Sequence, residues 1–98
     1  MEYNLVYFKR KGVMIYVNRN DSYIVSYLLD KTYKDTFYIE RNSMNGLITL
    51  LNKCHINYYY DKPIIFKDNK YSKYLEYGKL SYRIDKLSTN LKKMFILR

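Results

Sequence analysis

The spacing of apolar residues changes period repeatedly between residues 3 and 60, and this alternation constrains the fold more than any other feature. Residues 3–8 alternate weakly and are rich in β-formers, which predicts a strand. In residues 13–17, Val13, Ile15 and Val17 fall on one face and Met14 and Tyr16 on the other, predicting a second strand. Between them lies a basic turn, Lys9-Arg10-Lys11-Gly12, in which Gly12 can take the positive φ of a tight hairpin. Ile24, Val25, Leu28 and Leu29 then recur at helical spacing, with Asn20 or Asp21 as N-cap and an end near Leu29. Asp35 to Glu40 predicts a third strand. Asn42 or Ser43 caps a second helix whose stripe is Met44, Leu47, Ile48 and Leu51, with Gly46 off that face. Ile56 to Tyr60 predicts a fourth strand, and Ile64 to Phe66 a short edge segment after Pro63.

The last third has a different texture. Asp68 or Asn69 can cap a helical stretch through Tyr77, and Gly78 predicts a break or bend. Leu80, Ile84, Leu87, Leu91 and Met94 follow at spacings of four and three, a seam for packing against the domain or a partner helix. Lys79, Arg83, Lys86 and Lys93 form a cationic stripe beside it. The order β-β-α-β-α-β plus a terminal helix implies an α/β fold, a mixed β-sheet with flanking helices and a C-terminal amphipathic helix. The strand after each helix is expected to lie parallel to an earlier one. Residues 1–67 form the expected core, and 68–98 a basic helical extension packed on it or on a partner.

At 98 residues the chain has room for one domain with a modest core, yet 48% hydrophobic residues is too many for a disordered tail. The net charge of +9 favours polyanions: DNA, RNA, an anionic membrane or an acidic protein. No apolar run approaches the roughly 20 residues of a membrane span. Met1-Glu2-Tyr3-Asn4 does not read as the basic start of a signal peptide. The single Cys54 leaves no intramolecular disulfide, so the expected setting is a reducing cytoplasm. Fourteen tyrosines and no Trp suit core edges, interfaces and base stacking, although AT-rich codons produce the same excess.

No catalytic constellation is visible. His55, the one histidine, adjoins Cys54, but neighbouring side chains on a helix diverge by about 100°. The carboxylates show no paired spacing for acid–base or two-metal chemistry, and no Gly-rich phosphate loop is present. The chain is therefore expected to be no enzyme and to need neither cofactor nor small-molecule substrate.

Strand, Gly turn, strand, Asp-led helix, strand, Ser-capped helix and strand, over residues 3–62, resembles the amino-terminal domain of MutS mismatch-repair proteins. The most telling segment is "NSMNGLITLLNKCHINYYY", Asn42 to Tyr60, supported by "KGVMIYVNRNDSYIVSYLLD", Lys11 to Asp30. In that family a Phe-x-Glu motif just after the hairpin glycine reads the mismatched base. Met14, Ile15 and Tyr16 stand there, so an apolar wedge remains and the carboxylate does not. Ile39-Glu40-Arg41 stands where the family has a Gly-hydrophobic-Pro element. The chain is also similar to small stand-alone MutS-domain-like proteins of Gram-positive mobile elements and phages. That resemblance implies an accessory that binds an A-family DNA polymerase and supports primer synthesis.

Read together, these features predict a DNA-associated replication accessory that contacts single-stranded DNA or template–primer. The expected nucleic-acid contacts are Lys9, Arg10, Lys11, Met14, Tyr16, Arg19, Arg41, Lys79, Arg83, Lys86 and Lys93. The expected partner contacts are Leu80, Ile84, Leu87, Leu91 and Met94. Two other readings stay open: an autonomous sensor of distorted or mismatched duplex, and a phage-type protein-interaction inhibitor. The Lys9-Arg10-Lys11 turn also has a bland reading as a solvated hairpin tip.

Overall fold

A computed structural model describes the backbone of residues 4–96 and the side chains of residues 4–89. The elements in chain order are β1 (Val6–Tyr7), β2 (Lys9–Lys11), β3 (Met14–Asn18), α1 (Arg19–Leu28), β4 (Thr36–Ile39), a 3-10 turn (Arg41–Ser43), α2 (Met44–Lys53), β5 (Tyr58–Tyr60), β6 (Lys62–Ile64) and α3 (Tyr71–Ile96). Among the described residues this is a mixed α/β protein of two three-stranded sheets, ordered β1-β5-β6 and β2-β3-β4, with three α-helices.

The single mixed sheet expected from the element order is thus divided. The chain passes from one sheet to the other at Phe8, which is buried between β1 and β2 and donates its N–H to the Tyr59 carbonyl at 3.1 Å. Before Phe8, Val6 and Tyr7 pair parallel with Tyr58 and Tyr59; after it, Lys9 to Lys11 pair antiparallel with Tyr16 to Met14. The crossover through α2 is therefore parallel as expected, whereas β4 runs antiparallel to β3.

The Lys9-Arg10-Lys11 segment is a strand and not a turn. The hairpin closes through Gly12 and Val13, with Gly12 at φ +63°, the left-handed region that costs glycine least. Val13 consequently leaves the ladder and is 79% exposed, while Ile15 and Val17 are buried as their spacing predicts. Phe37 and Ile39 of β4 join them, and α1 covers this inner face with Ile24 and Val25. The α2 stripe buries Met44, Leu47 and Leu51, with Ile48 partly buried beside them. Each fully buried Leu or Ile contributes about 1.5–3 kcal/mol.

The cap expected for α1 differs, whereas Ser43 precedes α2 as expected. Asn18, not Asn20 or Asp21, precedes α1, and its side chain makes no cap bond. Asn18 turns instead to Thr36 Oγ1 at 3.0 Å, and Lys9 Nζ donates to its Oδ1 at 2.9 Å. Asp21 has a longer reach: it accepts the Tyr7 N–H at 3.0 Å and the Tyr71 hydroxyl at 2.6 Å. One carboxylate thereby joins β1, α1 and α3. Burial holds it above the ordinary Asp value, although both hydrogen bonds favour its charged form. At the foot of α3, Asn69 Oδ1 accepts the N–H groups of Asn57 and Tyr71, and its Nδ2 donates to the Asn4 carbonyl.

Gly78 does not break the terminal helix; α3 is continuous through it. A Cβ on Gly78 would lie 2.7 Å from the Tyr23 carbonyl carbon and 3.0 Å from Tyr23 Cβ. The glycine is where α3 presses its backbone against α1. Tyr71, Tyr74 and Leu75 pack onto the core below it. No helix among the described residues is long and apolar enough to cross a membrane.

Two expectations follow. Gly78→Ala should lower stability by about 1–3 kcal/mol through overpacking. Gly46→Ala, with no atom near its absent Cβ, should raise stability by about 0.5–1 kcal/mol. Urea denaturation of the two variants checks the opposite signs. For Asp21, the raised midpoint means the folded chain retains a proton that the unfolded chain has released. Stability should therefore fall as pH climbs from the ordinary value of 3.8 to that midpoint. Carbon-detected NMR should place the Asp21 midpoint above 3.8, and higher still in Tyr71→Phe, which removes a hydrogen bond to the carboxylate.

Candidate nucleic-acid interface

The outer face of the β2-β3-β4 sheet is built by period-two alternation. Since Ile15, Val17, Phe37 and Ile39 point into the core, Met14, Tyr16, Asn18, Thr36 and Tyr38 must point out. Antiparallel register then places Lys9 beside Tyr16, Tyr16 beside Tyr38, and Lys11 beside Met14. A row of one lysine and two tyrosines crosses three strands. The Tyr16 and Tyr38 rings lie 5.6 Å apart at 46°, leaving Tyr38 half exposed. This is an aromatic surface with an ammonium group at its β2 edge, and Lys11 and Met14 extend it toward the hairpin.

Arg19 enters α1 from a left-handed conformation, φ +52°, with its N–H on the Asp35 carbonyl at 2.8 Å. That geometry sets it in a shallow groove with Tyr7, Lys9, Asn18 and two carboxylates, Asp21 and Asp35. Arg41 is exposed in the 3-10 turn after β4. The register that pairs Ile39 with Ile15 puts that turn at the Met14 end of the sheet.

Arg10 belongs to a different arrangement. It alternates away from Lys9 and Lys11, forms an ion pair with Asp61 at 2.9 Å, and lies over the Tyr60 ring at 4.8 Å. Its charge is engaged by the β5–β6 hairpin, and it ties the two sheets together. Of the three cations in β2, the two lysines are the ones directed at the open face.

The α3 cations stand elsewhere. α3 packs on α1, and α1 packs on β3 and β4, so α1 intervenes between Lys79, Arg83 and Lys86 and the sheet. Arg83 and Lys86 are exposed, and Lys79 is partly so. The Lys86 ammonium sits 5.0 Å from the Tyr82 ring centroid, and its hydrogen bond to Tyr82 holds its pKa above the ordinary value. Leu80, Ile84 and Leu87 are exposed along the same helix, so they are not core packing. The side chains of Leu91, Lys93 and Met94 lie outside those described.

Sequence reasoning missed Tyr38, although the Thr36-Phe37-Tyr38-Ile39 alternation contains the signal once its inner face is known. The loop after α2 is the expected home of His55, but its partners there were not foreseen. His55 sits at φ +55°, stacks on Phe66 with centroids 5.0 Å apart, and places Nδ1 2.9 Å from Asp68. The pair holds the Asp68 carboxyl below its ordinary value. The contact joins the two ends of the β5–β6 hairpin segment, thirteen residues apart. Cys54 takes no part in it; among the described residues, no three His, Cys, Asp or Glu side chains gather as a metal site.

The arrangement can do two things chemically: offer π-faces for stacking and offer ammonium groups to phosphates. Comparison of the chain with family models, with curated proteins and with solved structures finds no match.

Proposed function

We propose that this chain is a non-catalytic accessory of DNA replication that holds single-stranded DNA, or the single-stranded part of a template–primer, on the outer face of β2-β3-β4. The observation that carries the reading is the Lys9–Tyr16–Tyr38 row on the outer sheet face, where Met14 and Tyr38 are about half exposed. Stacking on a tyrosine suits a splayed base, because every base has a π-face, and the bases of a duplex are already stacked on one another. Lys9, Lys11 and Arg19 supply the phosphate contacts along the β2 edge, and a net charge of +9 draws the strand in. The wider role, beside an A-family DNA polymerase and in support of primer synthesis, rests on the MutS-like resemblance of residues 3–62.

A second reading has one observation in its favour. Val13 and Met14 are exposed apolar residues at the tip of the hairpin, where a wedge into distorted duplex would sit. Tyr16 in place of an acidic residue removes the group that would accept a hydrogen bond from the base.

Titration of a fluorescein-labelled oligothymidine with the full chain tests the first reading. Tyr16→Ala and Tyr38→Ala should each cost about 1–3 kcal/mol of binding. Lys9→Ala and Lys11→Ala should each reduce the slope of log affinity against log salt by about 0.7. Unchanged affinity in both tyrosine variants would sink the stacking platform. Tighter binding to mismatched than to matched duplex, lost in Met14→Ala, would favour the second reading instead. Co-elution with an A-family polymerase at micromolar concentration tests the wider role separately.

A further inference from the structure

The outward stripe of α3 lies apart from the sheet face. From Arg83 to Thr89 every described residue is exposed, including Ile84 at 54% and Leu87 at 61%. In proteins most helical stability comes from packing an apolar face, so this outward part of α3 gains from a cover. Tyr77, Leu80, Ile84 and Leu87 recur at three, four and three, the spacing that packs side chains between those of a second helix. Tyr27 of α1 supplies a second wall, with its ring 5.9 Å from Tyr77, and an open apolar groove runs between Tyr27, Tyr77, Leu80 and Ile84.

Charge decides what that cover is. At 100° per residue, Arg83, Lys79 and Lys86 follow in turn around one side of the stripe, while Tyr74, Gly78 and Tyr82 face the body. Glu76 falls on the same side, between the stripe and Arg83, so the free flank of the groove carries three cations to one carboxylate and is net cationic. Among the described residues none of these three cations is in a salt bridge. A second copy would bring the same cations and a further +9. A DNA strand would satisfy the cations but leave Leu80, Ile84 and Leu87 without an apolar partner. A helix with an apolar stripe and a carboxylate flank satisfies both.

We infer that the Tyr77–Leu80–Ile84–Leu87 stripe of α3 is a docking site for an acidic amphipathic helix of a partner protein, with Lys79, Arg83 and Lys86 pairing its carboxylates. The site stands on a different face from the oligonucleotide platform, and each is tested without the other.

The probe is a fluorescein-labelled peptide of about three heptads, with Leu at a and d and Glu at e and g. A counterpart carries Lys in place of Glu. The full chain should bind the Glu peptide saturably, with Kd on the order of 10 µM. The triple variant L80S/I84S/L87S should lose at least about tenfold, with its circular dichroism and its oligothymidine affinity unchanged. K79E/R83E/K86E should reverse the preference toward the Lys peptide. Absence of binding, or equal affinity for the two peptides, would overturn the proposal. Sedimentation showing a dimer that L80S/I84S/L87S dissolves would assign the stripe to a second copy. Displacement of the peptide by oligothymidine would assign it to nucleic acid.

Discussion

The close approach of Gly78 to the Tyr23 carbonyl is the constraint on which the rest of the arrangement depends. Two helix backbones meet where one of them has no side chain, so α3 is held at a fixed height and rotation on α1. That rotation carries Tyr82 into the Tyr23–Tyr33 stack, where the latter two rings lie 3.9 Å apart and nearly parallel. Burial and the hydrogen bond with Tyr23 push Tyr33 up to about 12. The same rotation leaves Leu80, Ile84 and Leu87 facing water. A bulkier residue at 78 would move all of them together.

Polar groups locate the start of the same helix. Asp21 receives hydrogen bonds from β1 and from Tyr71, and Asn57 is fully buried among bonds from Val6, to Asn69 and from Phe66. Such bonds add about 1 kcal/mol each but cost more when a partner is missing, so they select one packing over its near neighbours. Among the described residues, Asn57 Nδ2 is a buried polar atom without a protein partner.

Local patterns were legible in the sequence. The period-two runs of β3 and β4 and the stripe of α2 correspond to buried faces, because burial there depends only on neighbours along the chain. What depended on distant neighbours was not legible. Lys9-Arg10-Lys11 looks like a loop on composition, yet pairing with Met14 to Tyr16 makes it a strand. Gly78 looks like a helix breaker, and its lack of a side chain serves a contact fifty-five residues away in the chain. For the candidate site, the cations and Tyr16 were visible as residue types. Their division was not: Arg10 turned to Asp61, the lysines turned outward, and α3 was set behind α1. Register and layering decide this, and neither is encoded in composition.

The passage of the chain through Phe8 has a consequence for how this protein tolerates change. β1 and β2 are one extended run that serves two sheets without a loop between them, so there is no slack to absorb an inserted or deleted residue. Because side chains alternate, a shift of one position would exchange Val6 and Phe8 with Tyr7 in one sheet and Lys9 and Lys11 with Arg10 in the other. Core and charged face would be lost together. The segment from Leu5 to Lys11 should therefore accept substitutions far more readily than changes of length.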